Sequence, residues 1–182
     1  MDIYEAIEKR RTIRFFKKGA TEEQLQRIIL AGSKAPSGGN SQPWEFIGID
    51  DPEIIERLGD LKYQLSKRFK PGPGQTQQEV EERALNQKKG FANTTVVAIC
   101  TTLGQSSAGW LAVENMSLAA VAEGLGSNII TYWDDAEKEA RKLIGLPEGY
   151  ELTCVLKLGA PKAQAVPPKR RPEFSWLHKN KF

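Results

Sequence analysis

Hydrophobic positions along this chain fall into two periods. In "TEEQLQRIILAGSKA", Leu25, Ile28, Ile29 and Gly32 recur at helical spacing behind a Thr21 N-cap and an acidic first turn. "DPEIIERLGDLKYQLSKRF" and "DDAEKEARKLIGL" read as further helices, the first with Pro52 near its opening position. Residues 2–9 form a short amphipathic helix with Ile3, Ala6 and Ile7 on one side, and a polar helix covers about Gln77 to Lys89. "SSAGWLAVENMSLAAVAEGLGS" is apolar nearly all round, interrupted only by Glu114, Asn115, Ser117 and Glu123. Such a helix is expected to be covered on most sides, by its own sheet and by another subunit. Shorter apolar runs, "EFIGID", "TTVVAICTT", "NIITYW" and "YELTCVLKLGAP", read as strands, and the continuous β-branched run in the second predicts a central one. "APSGGNSQPW" and "KPGPGQTQQ" are loops by their Pro and Gly content. Uneven alternation of the two periods predicts an α+β domain with helices on both sides of a sheet. The 182 residues fit one domain, 1–182. Its last part, 165–182, has no period but carries Phe174, Trp176, Leu177 and Phe182, which reads as an extended arm anchored on another subunit.

Charge is uneven. Lys9 to Lys18 holds six cations and no acid; Lys162 to Phe182 holds six more against Glu173 alone. The remainder has 14 cations and 22 acids, so an acidic body carries two basic ends. A protein that coats nucleic acid spreads its basic charge over a face instead. Cys100 and Cys154 each lie in a strand-like run and read as buried free thiols, which favours a reducing compartment. The single histidine, His178, removes multi-histidine metal sites and leaves little for a Ser-His or Cys-His mechanism. No signal peptide or membrane-spanning run is visible, so a cytoplasmic, membrane-free protein is expected.

Phosphate-binding glycine loops are missing. "GLGSNI" starts like GxGxxG but places Ile129 at the third glycine. A phosphate here has to be gripped by side chains. Arg10, Arg11 and Arg14 are spaced so that, on a helix end, Arg10 and Arg14 share a face with Arg11 beside it; Thr12 adds a hydroxyl. From spacing alone this cluster fits a solvated face, a small-molecule phosphate site or a nucleic-acid patch. Likewise "PSGGNSQPW" is either a plain surface turn or a constrained loop presenting Ser37, Asn40, Ser41 and Gln42 to a ligand.

Taken together, "RRTIRFF" and, about 20 residues on, "APSGGNSQPWEF" resemble the FMN-dependent nitroreductase family. The resemblance continues through "VENMSLAAVAEGLGSNII" and the closing "LKLGAPKAQAVPPKRRPEF", leaving aside the region 66–92. It implies a three-layer α/β/α sandwich with a mainly antiparallel central sheet, and a homodimer with FMN at the subunit interface and exchanged C-terminal arms. It implies that Arg10, Arg11, Thr12 and Arg14 hold the phosphate and ribityl groups, with Arg170 or Arg171 closing the site from the tail. Pro36, Ser37 and Asn40 would lie against the flavin from the second subunit, Gln42 would touch the ribityl or ring edge, and the backbone near Thr131 and Tyr132 would face flavin N5. Trp133 is the best-placed indole for the flavin, and Gln105 to Trp110 a second border. "GAPK" departs from the family's Gly-Tyr-Pro, and Tyr132 and Trp133 stand where small residues are usual.

The implied activity passes hydride from NADH or NADPH through FMN to an organic acceptor, such as a nitroaromatic or quinone, in a ping-pong cycle. No side-chain catalyst and no metal are needed, because the chemistry sits at flavin N5. Three alternatives stay open: another flavin reaction on the same fold, dehalogenation or flavin cleavage; a flavoprotein with a sensing role; and a nucleic-acid-binding module.

Overall fold

A computed structural model describes residues 1–182. The chain forms α1 (Ile3–Lys9), β1 (Phe16–Lys18), α2 (Glu22–Gly32), β2 (Trp44–Ile49), α3 (Pro52–Ser66), α4 (Gln77–Lys89), β3 (Thr95–Thr102), α5 (Ser106–Ala122), β4 (Gly126–Ile130), α6 (Asp134–Leu143) and β5 (Tyr150–Pro161). All five strands lie in one sheet, and every ladder is antiparallel. β5 is the hub. It pairs with β3 from Tyr150 to Leu158, with β4 from Val155 to Gly159, and with β1 at Ala160 and Pro161, beyond the end of β3. One parallel bridge, Thr12 to Ser127, fastens the segment after α1 to β4.

Because side chains alternate along a strand, the sheet has two apolar faces, and both are covered. Val96, Ala98, Cys100, Ile130 and Val155 pack with Leu58 and Leu65 of α3 and Ala136 and Ala140 of α6. Val97, Ile99, Cys154, Leu156 and Leu158 pack with Ile28 of α2 and Val113, Met116 and Ala120 of α5. The result is an α/β/α sandwich, as expected. Both cysteines are buried free thiols, and burial pushes the Cys100 thiol up to about 12, which makes it inert. No helix is long and apolar enough to cross a membrane.

The capping signals hold at α2, where Thr21 and Gln24 form a reciprocal capping box, and recur at α4 with Thr76 and Glu79. The N-terminal arginines differ from expectation. α1 ends at Lys9, Arg10 is its C-cap, and the chain beyond is extended. The helical face that would join Arg10 to Arg14 therefore does not exist. The two share a side instead through strand-like alternation, with Thr12 between them and Arg11 and Ile13 opposite. Gly126 of β4 makes this docking feasible, since a Cβ there would stand 2.3 Å from the Ile13 side chain. β1, only three residues long, has no periodic signal of its own.

α5 meets its expectation on the sheet side, while Trp110 and Leu111 remain exposed. On α1, Ile3, Tyr4 and Ile7 are also exposed. The tail beyond Pro161 holds no helix or strand, and Phe174, Trp176, Leu177 and Phe182 stand in solvent.

Candidate functional site

Two grooves sit side by side along α3, α4 and the loop after β4. One, about 360 Å³, is lined by Arg14, Phe15, Glu79, Glu82, Arg83, Asn86 and Gln87. The other, about 430 Å³, is lined by Lys62, Ser66, Phe69, Arg83, Gln87, Thr131 and Trp133. Arg83 and Gln87 belong to both, so the two form one trough.

Buried lysine distinguishes this region. Some cations elsewhere are paired, Lys9 with Glu5, Arg27 with Glu123, Lys88 with Asp60 and Lys142 with Glu139, while others stand unpaired on the exposed surface. Arg10, Arg14, Lys62, Arg83 and Lys157 have no carboxylate within ion-pair distance. Two of these five are buried. Lys62 extends from the apolar stripe of α3, between Leu58 and Leu65, and donates to the Thr131 carbonyl at 3.1 Å. Its ammonium stands 4.8 Å from the centre of the Trp133 ring, and burial lowers its pKa. Lys157, 1% exposed in the middle of β5, donates to the Gly90 carbonyl at 2.8 Å and lies 4.7 Å from the Phe91 ring centre. Beside it in the ladder, Asn128 is buried with its Oδ1 unpartnered. Buried unpaired cations are expensive. A buried lysine that lines a trough without a carboxylate partner suits an anionic, hydrogen-bonding ligand.

The walls are partly aromatic. Phe69 and Trp133 meet with ring centres 5.8 Å apart at 57°. Below them, Tyr132 is buried, its hydroxyl donating to the Leu58 carbonyl at 2.9 Å. That anchor turns the Tyr132 side chain into the core, so Thr131 and Trp133 line the trough on either side of it. Asp134 follows in the left-handed region, φ 54°, which bends the chain sharply into α6.

The other anticipated residues are placed as follows. Arg11 folds back on α1, donating to the carbonyls of Glu8 and, at 2.7 Å, Arg10; it lines a separate groove with Ile13, Leu125 and Gly126. Pro36, Ser37, Asn40 and Gln42 lie on a loop built around one 3₁₀ turn, with Asn40 and Gln42 at positive φ and the Ser37 hydroxyl accepting from the Gln42 N–H at 3.0 Å. This loop precedes β2, on the far side of β3 from β4 and Thr131. Arg170 and Arg171 stand in the exposed tail, where Arg171 stacks on Trp176 at 5.9 Å. Gln105 to Trp110 open α5, in the opposite helical layer from Lys62.

Lys62, Arg83, Asn128 and Lys157 were missed from sequence, although a signal existed for the lysines. Lys62 interrupts the apolar stripe of α3, and Lys157 interrupts "TCVLKLG", a strand buried on both faces. The largest cavity, about 700 Å³ and lined by Ile55, Leu85 and Phe91, is elsewhere; its Lys88 is already neutralised by Asp60 and Glu56.

The nitroreductase family model matches residues 7–160. The chain belongs to the nitroreductase family. Among curated relatives, it is 28% identical to the iodotyrosine deiodinase of Thermotoga neapolitana over 166 residues, 87% of this chain and 88% of that one. It is 26% identical to an NADH dehydrogenase of Thermus thermophilus, over 94% of this chain and 93% of the relative. Among solved structures, an oxidised iodotyrosine deiodinase bound to FMN and 3-iodo-L-tyrosine superposes with a TM-score of 0.82 at 24% identity over all of both chains. The NADPH:FMN oxidoreductase of Vibrio harveyi, complexed with NAD+, gives 0.78 at 22% identity, over 99% of this chain and 77% of that one. These likenesses fix the fold of this nitroreductase-family enzyme as α+β.

Proposed function

We propose that the trough holds FMN and that the protein is an FMN-dependent reductase drawing on NADH or NADPH. The observation that carries this reading is the trough lined by Arg14, Arg83 and the buried Lys62, none of them with a carboxylate within ion-pair distance, in a nitroreductase-family chain. Arg10, Thr12 and Arg14, on one side of the extended segment, would grip the phosphate and ribityl oxygens; arginine forks suit phosphate. Lys62 places positive charge at the trough floor, where a flavin gains negative charge on reduction. The backbone from Thr131 to Trp133 is the strip a flavin edge would meet, with Tyr132 acting only as its anchor. Phe69 and Trp133 would wall one end. When bound, FMN supplies the hydride chemistry.

The working form would be a homodimer. Ile3, Tyr4 and Ile7 of α1, Trp110 and Leu111 of α5 and the aromatic tail are apolar surfaces of the kind another subunit covers. A partner would bring Pro36, Ser37, Asn40 and Gln42 to the flavin, and Arg170 or Arg171 to the phosphate. Arg11, committed to the α1 carbonyls, would act as a structural brace rather than as a phosphate ligand. The two unpaired thiols fit a cytoplasmic setting.

The acceptor would be a small organic molecule such as a nitroaromatic or quinone. A second reading, reductive dehalogenation, rests on the full-length similarity to the Thermotoga deiodinase. One experiment separates them: reduce the purified yellow protein with NADH or NADPH, then follow reoxidation by a nitroaromatic, a quinone and 3-iodotyrosine. Recovery with the first two supports the reductase. Recovery with iodotyrosine alone, with iodide release, supports the second. A colourless protein that takes up no FMN sinks both.

A further inference from the structure

Lys157 is the buried charge for which the proposed function has no role. Its amine is reached by no carboxylate. The Arg14 carbonyl meets the same Gly90 as the Lys157 amine; Arg14 lines the neighbouring groove with Arg83, Glu79 and Glu82 of α4, and Lys62 of α3 lines the adjoining one. Glu82 accepts from Gln78, and the α3 carboxylates Glu56 and Asp60 are turned to Lys88. β3 contributes only Val96 beside it, β4 only Asn128, and the turn after α4 only the Gly90 carbonyl and the Phe91 ring. The packing leaves no slack: a Cβ on Gly90 would stand 2.8 Å from the Lys157 Nζ and 2.6 Å from the Arg14 carbonyl. A lysine can therefore neither leave this position nor find an anion within the chain.

We propose that Lys157, enclosed with only the Gly90 carbonyl and no carboxylate at its amine, is a binding-linked proton acceptor that takes up a proton from solvent when an anion settles on Arg14 and Lys62. Burial first, and then the charges of Arg14 and Lys62, bring its pKa down to about 7, in agreement with this geometry. An incoming anion cancels the repulsion from those two neighbours and so raises proton affinity at Lys157. Lys157 is thus a positioning residue that tunes the affinity of the site without itself touching the ligand. This inference rests on the FMN reading for the identity of the anion.

The test follows the lysine directly. Protein carrying ¹³C at the lysine Cε carbons is titrated by NMR, free and with saturating FMN, beside K157M. One lysine signal, lost in K157M, should titrate near pH 7 in the free protein and move up by about two pH units with FMN. Calorimetry at pH 8, in buffers of different ionisation enthalpy, should show proton uptake approaching one per FMN in wild type and none in K157M. A shift of that size corresponds to roughly tenfold tighter binding at pH 8 in wild type than in K157M. A Lys157 signal titrating above about pH 9.5 in the free protein overturns the inference. So does an unchanged titration in the FMN-loaded protein, with the FMN reading left standing. Failure of wild type to bind FMN at all overturns that reading as well.

Discussion

Replacing Lys157 by methionine should change stability in a way that pH reveals. A lysine keeps its proton in the unfolded chain up to about 10.5, but in the fold its pKa is about 7. Above 10.5 the amine is neutral in both states and there is no penalty. As pH falls through this window, the unfolded chain gains a proton that the fold resists, so wild-type stability falls, levelling off below about 7. At about 1.4 kcal/mol per pH unit, the window is worth about 5 kcal/mol, an upper figure because structure and water relax around a buried charge. Met has similar volume and no charge, but it leaves the Gly90 carbonyl without its donor, at a cost of about 1–3 kcal/mol. K157M should therefore be more stable than wild type by about 3 kcal/mol near pH 7 and less stable by about 2 kcal/mol near pH 10.5. With about 2–4 °C per kcal/mol for a domain of this size, the difference in Tm should swing by about 10–20 °C across the window. Urea or thermal unfolding of the ligand-free pair at pH 6 to 10.5 measures it. A difference constant with pH, or one that moves the other way, refutes the reasoning.

Three further outcomes follow from particular contacts. Gly90→Ala inserts a methyl group 2.6 Å from the Arg14 carbonyl and 2.8 Å from the Lys157 amine, so it should destabilise by about 1–3 kcal/mol in urea melts and weaken FMN retention. The Gly90 φ of −70° is ordinary for alanine, so crowding alone is responsible. Tyr132→Phe removes one buried hydrogen bond to the Leu58 carbonyl; about 1 kcal/mol of stability should be lost, with the flavin spectrum of the loaded protein unchanged. Dilution should release flavin as the dimer dissociates, read by sizing with flavin absorbance, and a flavin-loaded monomer would contradict an interfacial cofactor.

The sandwich was legible because its signals are local. Two periods of hydrophobicity, the Thr21 capping box and the β-branched run of β3 each act within a few residues. β1 was not, because three residues become a strand only through the end of β5, more than 140 positions away. The arginines were legible as a cluster but not in their geometry. A four-residue interval suggests a helix face, whereas the Thr12–Ser127 bridge holds this segment extended and sends Arg11 to the other side. Lys62 and Lys157 show a different limit. Each is visible as a cation in an apolar stripe, yet only the fold shows that Lys62 lines the trough and that Lys157 is enclosed with no carboxylate within ion-pair distance.

The central claim is that the unpaired cations form the FMN site. Equilibrium binding of FMN to ligand-free wild type, R10A, R14A and R27A tests it most directly. Arg27 is the control, because its guanidinium is already paired with Glu123 at 2.7 Å. R10A and R14A should each lose roughly tenfold or more in affinity, as expected for charge-assisted bonds of about 1.5–3 kcal/mol, while R27A matches wild type. Equal affinity in all four proteins would contradict the assignment.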